Sequence, residues 1–229
     1  MPEIAYPGSE LEVFAQANNW KRYLRKLLLP YLRGRVLEVG AGIGATTRVL
    51  CQEHRGQWVC LEPDPALSGR ADVPSGVVWM GGSLADLPAG ELFDSILYLD
   101  VLEHIEDDRG ELERASDHLF PGGTVAVAGP AHQWLYTPFD ARIGHHRRYT
   151  KAGIRGIGLA GMTLELLRYT DTAGLLASGA NRALLRQSEP SLRQVLFWDR
   201  VLVPCSRLLD PILRYTLGKS LLAVWRKPA

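Results

Sequence analysis

The chain has 229 residues, 46% hydrophobic and 22% charged, with 26 Lys and Arg against 25 Asp and Glu. These values suit one generous α/β domain and exclude intrinsic disorder, collagen and a secreted disulfide scaffold. A net charge of +1 supplies no global field for nucleic acid, and Cys51, Cys60 and Cys205 stand in no metal spacing, so they read as buried, reduced thiols.

The opening MPEIAYPGSE lacks a basic segment followed by an apolar run. The longest stretch free of Asp, Glu, Lys and Arg, Leu119–Phe139, contains Pro121, Pro130, Pro138 and two adjacent glycines, which rules out a spanning helix. The expectation is a cytoplasmic protein. Residues 9–32 read as one helix with Ser9 as its cap, an apolar stripe through Leu11, Phe14, Trp20, Leu24, Leu27 and Leu28, and a stop at Pro30 and Gly34. A strand at 35–40 runs into a glycine turn and a helix at 44–54. Strands follow at 57–63, 76–81 and 93–99, then a charged helix at 107–119 with Asp107 and Asp108 at its start, and a strand at 123–130. The alternation predicts βαβ units and a parallel sheet. Residues 162–171 read as a strand, 173–215 as helical with interruptions at Pro190, Pro204 and Pro211, and 220–227 as a final strand. One domain is expected: a lid helix (1–34), a core (35–170), a helical insert (171–217) and a last strand (218–229).

Gly40-Ala41-Gly42-Ile43-Gly44 sits where the first strand ends, and Gly40–Ala45 fits the loose pattern G-x-G-x-x-A. Glycines allow a tight turn and close approach of a ligand, although such turns also occur for purely structural reasons. Glu62, ending the second strand, is placed to accept both ribose hydroxyls of an adenosine. Glu38 discriminates among adenosine ligands. A carboxylate beside the turn repels a pyrophosphate but favours a ligand with an α-amino group and a sulfonium, which describes S-adenosylmethionine. The plainer reading of Glu38 is a solvated acid at a strand end.

VLEVGAGIG, the acid in CLEPD, FDSILYLDVLEHIEDD and FPGGTVAV resemble, in order from about residue 35 to 130, the motifs of class I S-adenosylmethionine-dependent methyltransferases. PAHQWLYTPFDARIGHHRRYT resembles a loop of a bacterial small-molecule subgroup carrying G-H-x-R-R-Y. The resemblance implies a Rossmann-like seven-stranded, mostly parallel sheet with an antiparallel last strand. It also implies that Gly40, Ala41, Gly42 and Asp100 line the methionine part of the cofactor, with Glu38 at its amino group. Glu62 and Pro63 would lie at the ribose, and Ser83 and Leu84 at the adenine, where Ser83 replaces the family's usual Asp.

Methyl transfer from a sulfonium is an in-line displacement that needs alignment and, for a protonated acceptor, a base; no metal is expected. His132, Tyr136, Asp140, His145 and His146 cluster after the fifth strand. His132 and His145 are the candidate catalytic residues, set against the alternative that Asp140, His145 and the arginines merely lock the loop. Trp134, Tyr136, Arg148 and Tyr149, with Trp20 and Tyr23 of the lid, are the candidate substrate-binding residues; His104 is expected to shape a turn. The apolar insert reads first as a packed core, with a pocket wall, a dimer face or a membrane-surface contact as alternatives. The expected activity is N- or O-methylation of a polar, heteroaromatic small molecule in secondary metabolism by a monomer or homodimer that binds no nucleic acid. The rival readings are an NAD(P)-dependent oxidoreductase on the same turn and a methyltransferase of a lipid-linked glycan or other membrane-associated substrate.

Overall fold

A computed structural model describes residues 9–68, 71–184 and 191–229; Pro190 and the Ser9 side chain lie outside what is described. Runs rich in Val and Leu form β1 (Val36–Val39), β2 (Trp58–Glu62), β3 (Val77–Gly81), β4 (Phe93–Leu99) and β5 (Leu119–Pro130). Two further strands, β6 (Thr163–Thr170) and β7 (Ser220–Arg226), complete a seven-stranded sheet of order β3-β2-β1-β4-β5-β7-β6. Only β7 runs against the others, slotted between β5 and β6. The parallel sheet and antiparallel last strand therefore form as expected, because the long segment after β6 gives the chain room to return along an inner position.

Alternate residues of each central strand enter two cores, as the period-2 geometry of a strand covered on both faces requires. Leu37, Val59, Ile96 and Val125 pack on one face, and Val36, Trp58, Leu97 and Ala126 on the other. The first face is covered by α5 (Asp108–Asp117) and α7 (Lys151–Ile157). The second is covered by α2 (Asn18–Leu28) and α3 (Thr47–Leu50). Asp107 caps α5 as expected, accepting the Gly110 N–H at 3.0 Å.

Two expected helices change shape. The single helix at 9–32 is broken into α1 (Ser9–Ala15) and α2. At the break the Lys21 ammonium donates to the carbonyls of Phe14 (2.8 Å) and Ala15 (2.9 Å), and the Asp199 carboxylate accepts from the Trp20 N–H at 2.8 Å. Each new helix end thus receives a charged partner, one of them from the far end of the chain. The helix expected at 44–54 shrinks to the single turn α3. Gly44, with φ +75°, delays its start, and Glu53, with φ 63°, lies beyond its end.

The remaining helices are α4 (Pro65–Ser68), α6 (Pro138–Arg142), α8 (Thr172–Leu184), α9 (Leu192–Phe197) and α10 (Val203–Ile212). Pro204 does not interrupt the insert. A π segment, Trp198–Leu202, joins α9 to α10, and Pro204 sits in the first turn after it, where its missing N–H is tolerated. Pro211 lies inside the last turn of α10, and Cys205 on the same helix is exposed; of the three cysteines only Cys60, in β2, is buried as expected. Among the described residues no helix is long and apolar enough to cross a membrane.

Candidate active site at the carboxyl edge of the sheet

The glycine turn is built by the strands beneath it. The Gly40 N–H donates to Leu61 O at 2.7 Å, fixing the turn to β2, and Gly40 adopts φ +66°. A side chain at Gly40 would meet Val101 at 2.7 Å, whereas one at Gly42 would meet nothing within 4 Å. The turn is therefore packed from below and open above, as a backbone cradle for a ligand must be. Glu62 is 5% exposed and accepts the N–H groups of Gly42 (2.7 Å) and Asp64 (2.9 Å). Burial raises its carboxyl, opposed by those two hydrogen bonds.

Glu38 is not the solvated acid of the plainer reading. It is 2% exposed, accepts the Trp58 indole N–H at 3.0 Å, and burial pushes its carboxyl up to about 7. It lies under the turn on the face shared with α2 and α3. Ser83 caps a turn at Leu84–Asp86, its hydroxyl donating to Asp86 at 2.7 Å, while the Leu84 side chain is buried in the core. Pro63 is exposed at the strand end.

Asp100 follows β4 in a left-handed conformation, φ 57°, anchored by its N–H to Ala128 O at 2.8 Å. It is open to solvent and enclosed by protein on its other sides, the situation of a cleft floor. That partial loss of water raises its carboxyl, opposed by the charges of His145, Lys219 and Lys21, which reach it from three separate elements.

Behind Asp100 the loop after β5 is organised around Asp140, which is 1% exposed. It accepts the N–H (2.8 Å) and hydroxyl (2.8 Å) of Thr137, His145 Nδ1 (3.1 Å), and a forked pair from Arg148 (2.9 Å each). Burial alone would raise this carboxyl, but the His145 and Arg148 hydrogen bonds and the guanidinium charge hold it below the carboxylate range. Nδ1 of His145 is thereby committed, and Nε2 points toward Glu103, 3.8 Å away. Glu103 is wholly buried, and neither of its carboxylate oxygens has a hydrogen-bond partner. Gly129 makes room for it, since a Cβ there would come within 3.0 Å of Glu103 Oε2. Burial, then the nearby charge of Asp100, pushes Glu103 well above the carboxylate range. With Nδ1–H given to Asp140, Nε2 is the ring nitrogen left on the side of Glu103. Glu103, His104 and His145 also bring one ligand atom each within 4.8 Å of one another, a convergence the spacing of adjacent histidines did not disclose.

The roof comes from the chain ends. Tyr23 is 3% exposed and donates to Asp210 at 2.8 Å. Trp20 packs on Trp198 at 5.7 Å, and the Lys219 ammonium lies 4.2 Å over the Trp198 ring and 3.7 Å from Asp171. Burial lowers Lys21 to about 8.

Several expected substrate contacts turn out to be committed elsewhere. Tyr23 is an interior anchor of the lid. Tyr149 is buried and donates to Leu102 O (3.1 Å) and Asp108 (3.0 Å), Tyr136 donates to His145 O (2.6 Å), and Arg148 is spent on Asp140. These four therefore order the loop and lid, because each polar group already has its partner. Trp134 is 53% exposed. Its neighbour His132 adopts φ 67°, meets Gly218 O at 3.0 Å and stacks on Tyr169 at 4.5 Å; burial lowers its imidazole. Glu103 and Lys219 were missed. The only signal for Glu103 was an acid three residues after Asp100, and none pointed to Lys219.

The family described as a methyltransferase domain matches residues 14–173. None of the curated proteins matches the sequence. Among solved structures the chain is similar to a putative methyltransferase from Haloferax volcanii in complex with its Trm112 activator. That match has TM-score 0.62 and 18% identity, and covers 95% of this chain and 98% of that one. It is also similar to the plantazolicin methyltransferase bound to S-adenosylhomocysteine (TM-score 0.58, 12% identity, 95% and 84% covered). A third similar structure is a coclaurine N-methyltransferase bound to N-methylheliamine and S-adenosylhomocysteine (TM-score 0.61, 12% identity, 90% and 72% covered).

Proposed function

The chain belongs to the class I S-adenosylmethionine-dependent methyltransferases, matching the methyltransferase-domain family over residues 14–173, and we propose that it methylates nitrogen or oxygen of a polar small molecule. Family membership sets aside the nicotinamide reading of the glycine turn. The observation that carries the proposal is the line Asp140–His145–Glu103 ending beside Asp100 at the carboxyl edge.

S-adenosylmethionine, when bound, supplies the activated methyl carbon. The open backbone at Gly40, Ala41 and Gly42 would receive its methionine part, with Asp100 alongside and Glu38 holding the turn from below. Glu62 and Pro63 would lie at the ribose, and Ser83 and Leu84 at the adenine. An α-amino group and a sulfonium suit an edge where Glu62 and Asp100 offer carboxyl oxygens. His145 acts as the base: Asp140 holds its Nδ1–H, so Nε2 takes the acceptor's proton. Lys219 and His132 flank the acceptor, and Trp20 and Trp134 give apolar walls suited to a heteroaromatic ring.

Calorimetry with S-adenosylhomocysteine, paired with turnover on a panel of amine, phenol and azole acceptors, tests the reading. His145→Ala should leave cofactor affinity within about twofold and cut turnover by about 10²–10⁴-fold. Unaltered turnover would return His145 to loop structure, and absence of binding by the wild-type chain would remove the cofactor assignment.

A further inference from the structure

The insert was expected to bury its apolar residues, and it does so only in part. Along α9, the π segment and α10, Val195 and Val203 are buried, but Phe197, Val201, Leu208 and Ile212 are 57%, 44%, 72% and 74% exposed. They fall four, seven and four residues apart, the spacing of one helix stripe. Four arginines, Arg193, Arg200, Arg207 and Arg214, recur every seven residues over the same stretch, and all are exposed. The only acids between residues 192 and 217 are Asp199 and Asp210, which are 2% and 0% exposed and are turned inward. Asp199 accepts from the start of α2, and Asp210 from Tyr23, Asp171 and Thr172. The outer face of this segment therefore combines uncovered hydrocarbon with four exposed guanidiniums and no outward-facing acid of its own.

We infer that this face docks on an anionic lipid bilayer. An acidic protein or a nucleic acid would be met by the arginines alone and gives no use to an exposed Leu and Ile between them. Hydrocarbon flanked by guanidiniums suits a membrane interface, where apolar side chains enter the acyl boundary and arginines lie among the phosphates. The opposite side of the same segment supplies Trp198 to the roof of the cleft, where its indole donates to Asp171 at 2.7 Å and carries Lys219. Docking would place the cleft roof next to the lipid surface. The inference stands apart from the methyl-transfer reading, since it concerns the outer face only.

Flotation of the full chain with vesicles tests it. The chain should float with phosphatidylcholine–phosphatidylglycerol vesicles at low salt, be largely released by high salt, and stay behind with phosphatidylcholine alone. Arg200→Ser with Arg207→Ser should lower partitioning by roughly thirtyfold. Leu208→Ser with Ile212→Ser, both at exposed positions, should lower it by roughly tenfold or more while circular dichroism and S-adenosylhomocysteine binding stay unchanged. Failure to float with the anionic vesicles would overturn the inference, as would flotation indifferent to the Leu208 and Ile212 replacements. A solution dimer dissociated by those two replacements would assign the face to a second copy instead.

Discussion

The two sides of the carboxyl edge are held together differently. On the glycine-turn side, partners lie close in sequence: Gly42 donates to Glu62 and Trp58 to Glu38, each pair 20 residues apart. On the side formed by the loop after β5, the lid and the insert, partners come from the ends of the chain. Trp20 and Asp199 are 179 residues apart, Tyr23 and Asp210 are 187, and His132 and Gly218 are 86. The first side is assembled by the crossover of one βαβ unit and uses backbone donors. The second is assembled only when the whole chain has folded, and it uses buried charges whose loss leaves several groups unpaired. A cofactor cradle of this kind can persist while the acceptor side is altered.

If that contrast is right, the largest effect comes from the charged hub of the second side. Asp140→Ala should cost about 3–5 kcal/mol in denaturant unfolding, because Arg148 and His145 lose their common partner. Turnover should collapse while S-adenosylhomocysteine affinity falls less than turnover does; equal losses would erase the distinction between the sides. Next is the pH dependence set by Glu38. Its folded carboxyl titrates near 7 against an ordinary 4.5, so the folded state keeps a proton that the unfolded chain releases. Stability should therefore decline as pH rises through that window, by on the order of 3 kcal/mol. Glu38→Gln should flatten the decline and leave the variant more stable than wild type at pH 8. A wild type with no such decline, or a decline that Glu38→Gln leaves unchanged, would mean that the buried acid is charged throughout.

Asp210→Ala should cost about 2 kcal/mol by stranding the Tyr23 hydroxyl and two backbone N–H groups, and should loosen the lid. Faster proteolysis near α2 would register this; unchanged proteolysis would show that Asp199 alone ties the lid down. Glu62→Ala should weaken S-adenosylhomocysteine binding about tenfold with a smaller change in thermal stability, since its partners are backbone groups at an open turn. Chelation should have the smallest effect. In-line methyl displacement with a histidine base leaves turnover unchanged in chelator, whereas a loss restored by a divalent cation would turn Glu103, His104 and His145 into a metal centre.

How much could be read beforehand follows the same division. The strands, the glycine turn and the strand-end acids were legible, because period-2 apolar runs and glycine turns are local properties of the chain; the antiparallel return of β7 came only from the family resemblance. The break at Gln16–Ala17 was not, since its stabilising carboxylate arrives from Asp199. Tyr23, Tyr136, Arg148 and Tyr149 were legible as residues of the right region, but their hydrogen bonds to loop and lid were not, because composition cannot show that a polar group already has a partner. Glu103 was passed over because an acid in a charged run looks solvated until the fold buries it. The sequence by itself determined the sheet, its order of elements and the turn that marks one end of it. The tertiary structure decided which charges are buried, which histidine nitrogen is committed and which apolar residues of the insert stay uncovered, because burial and pairing depend on segments that meet only across the folded chain.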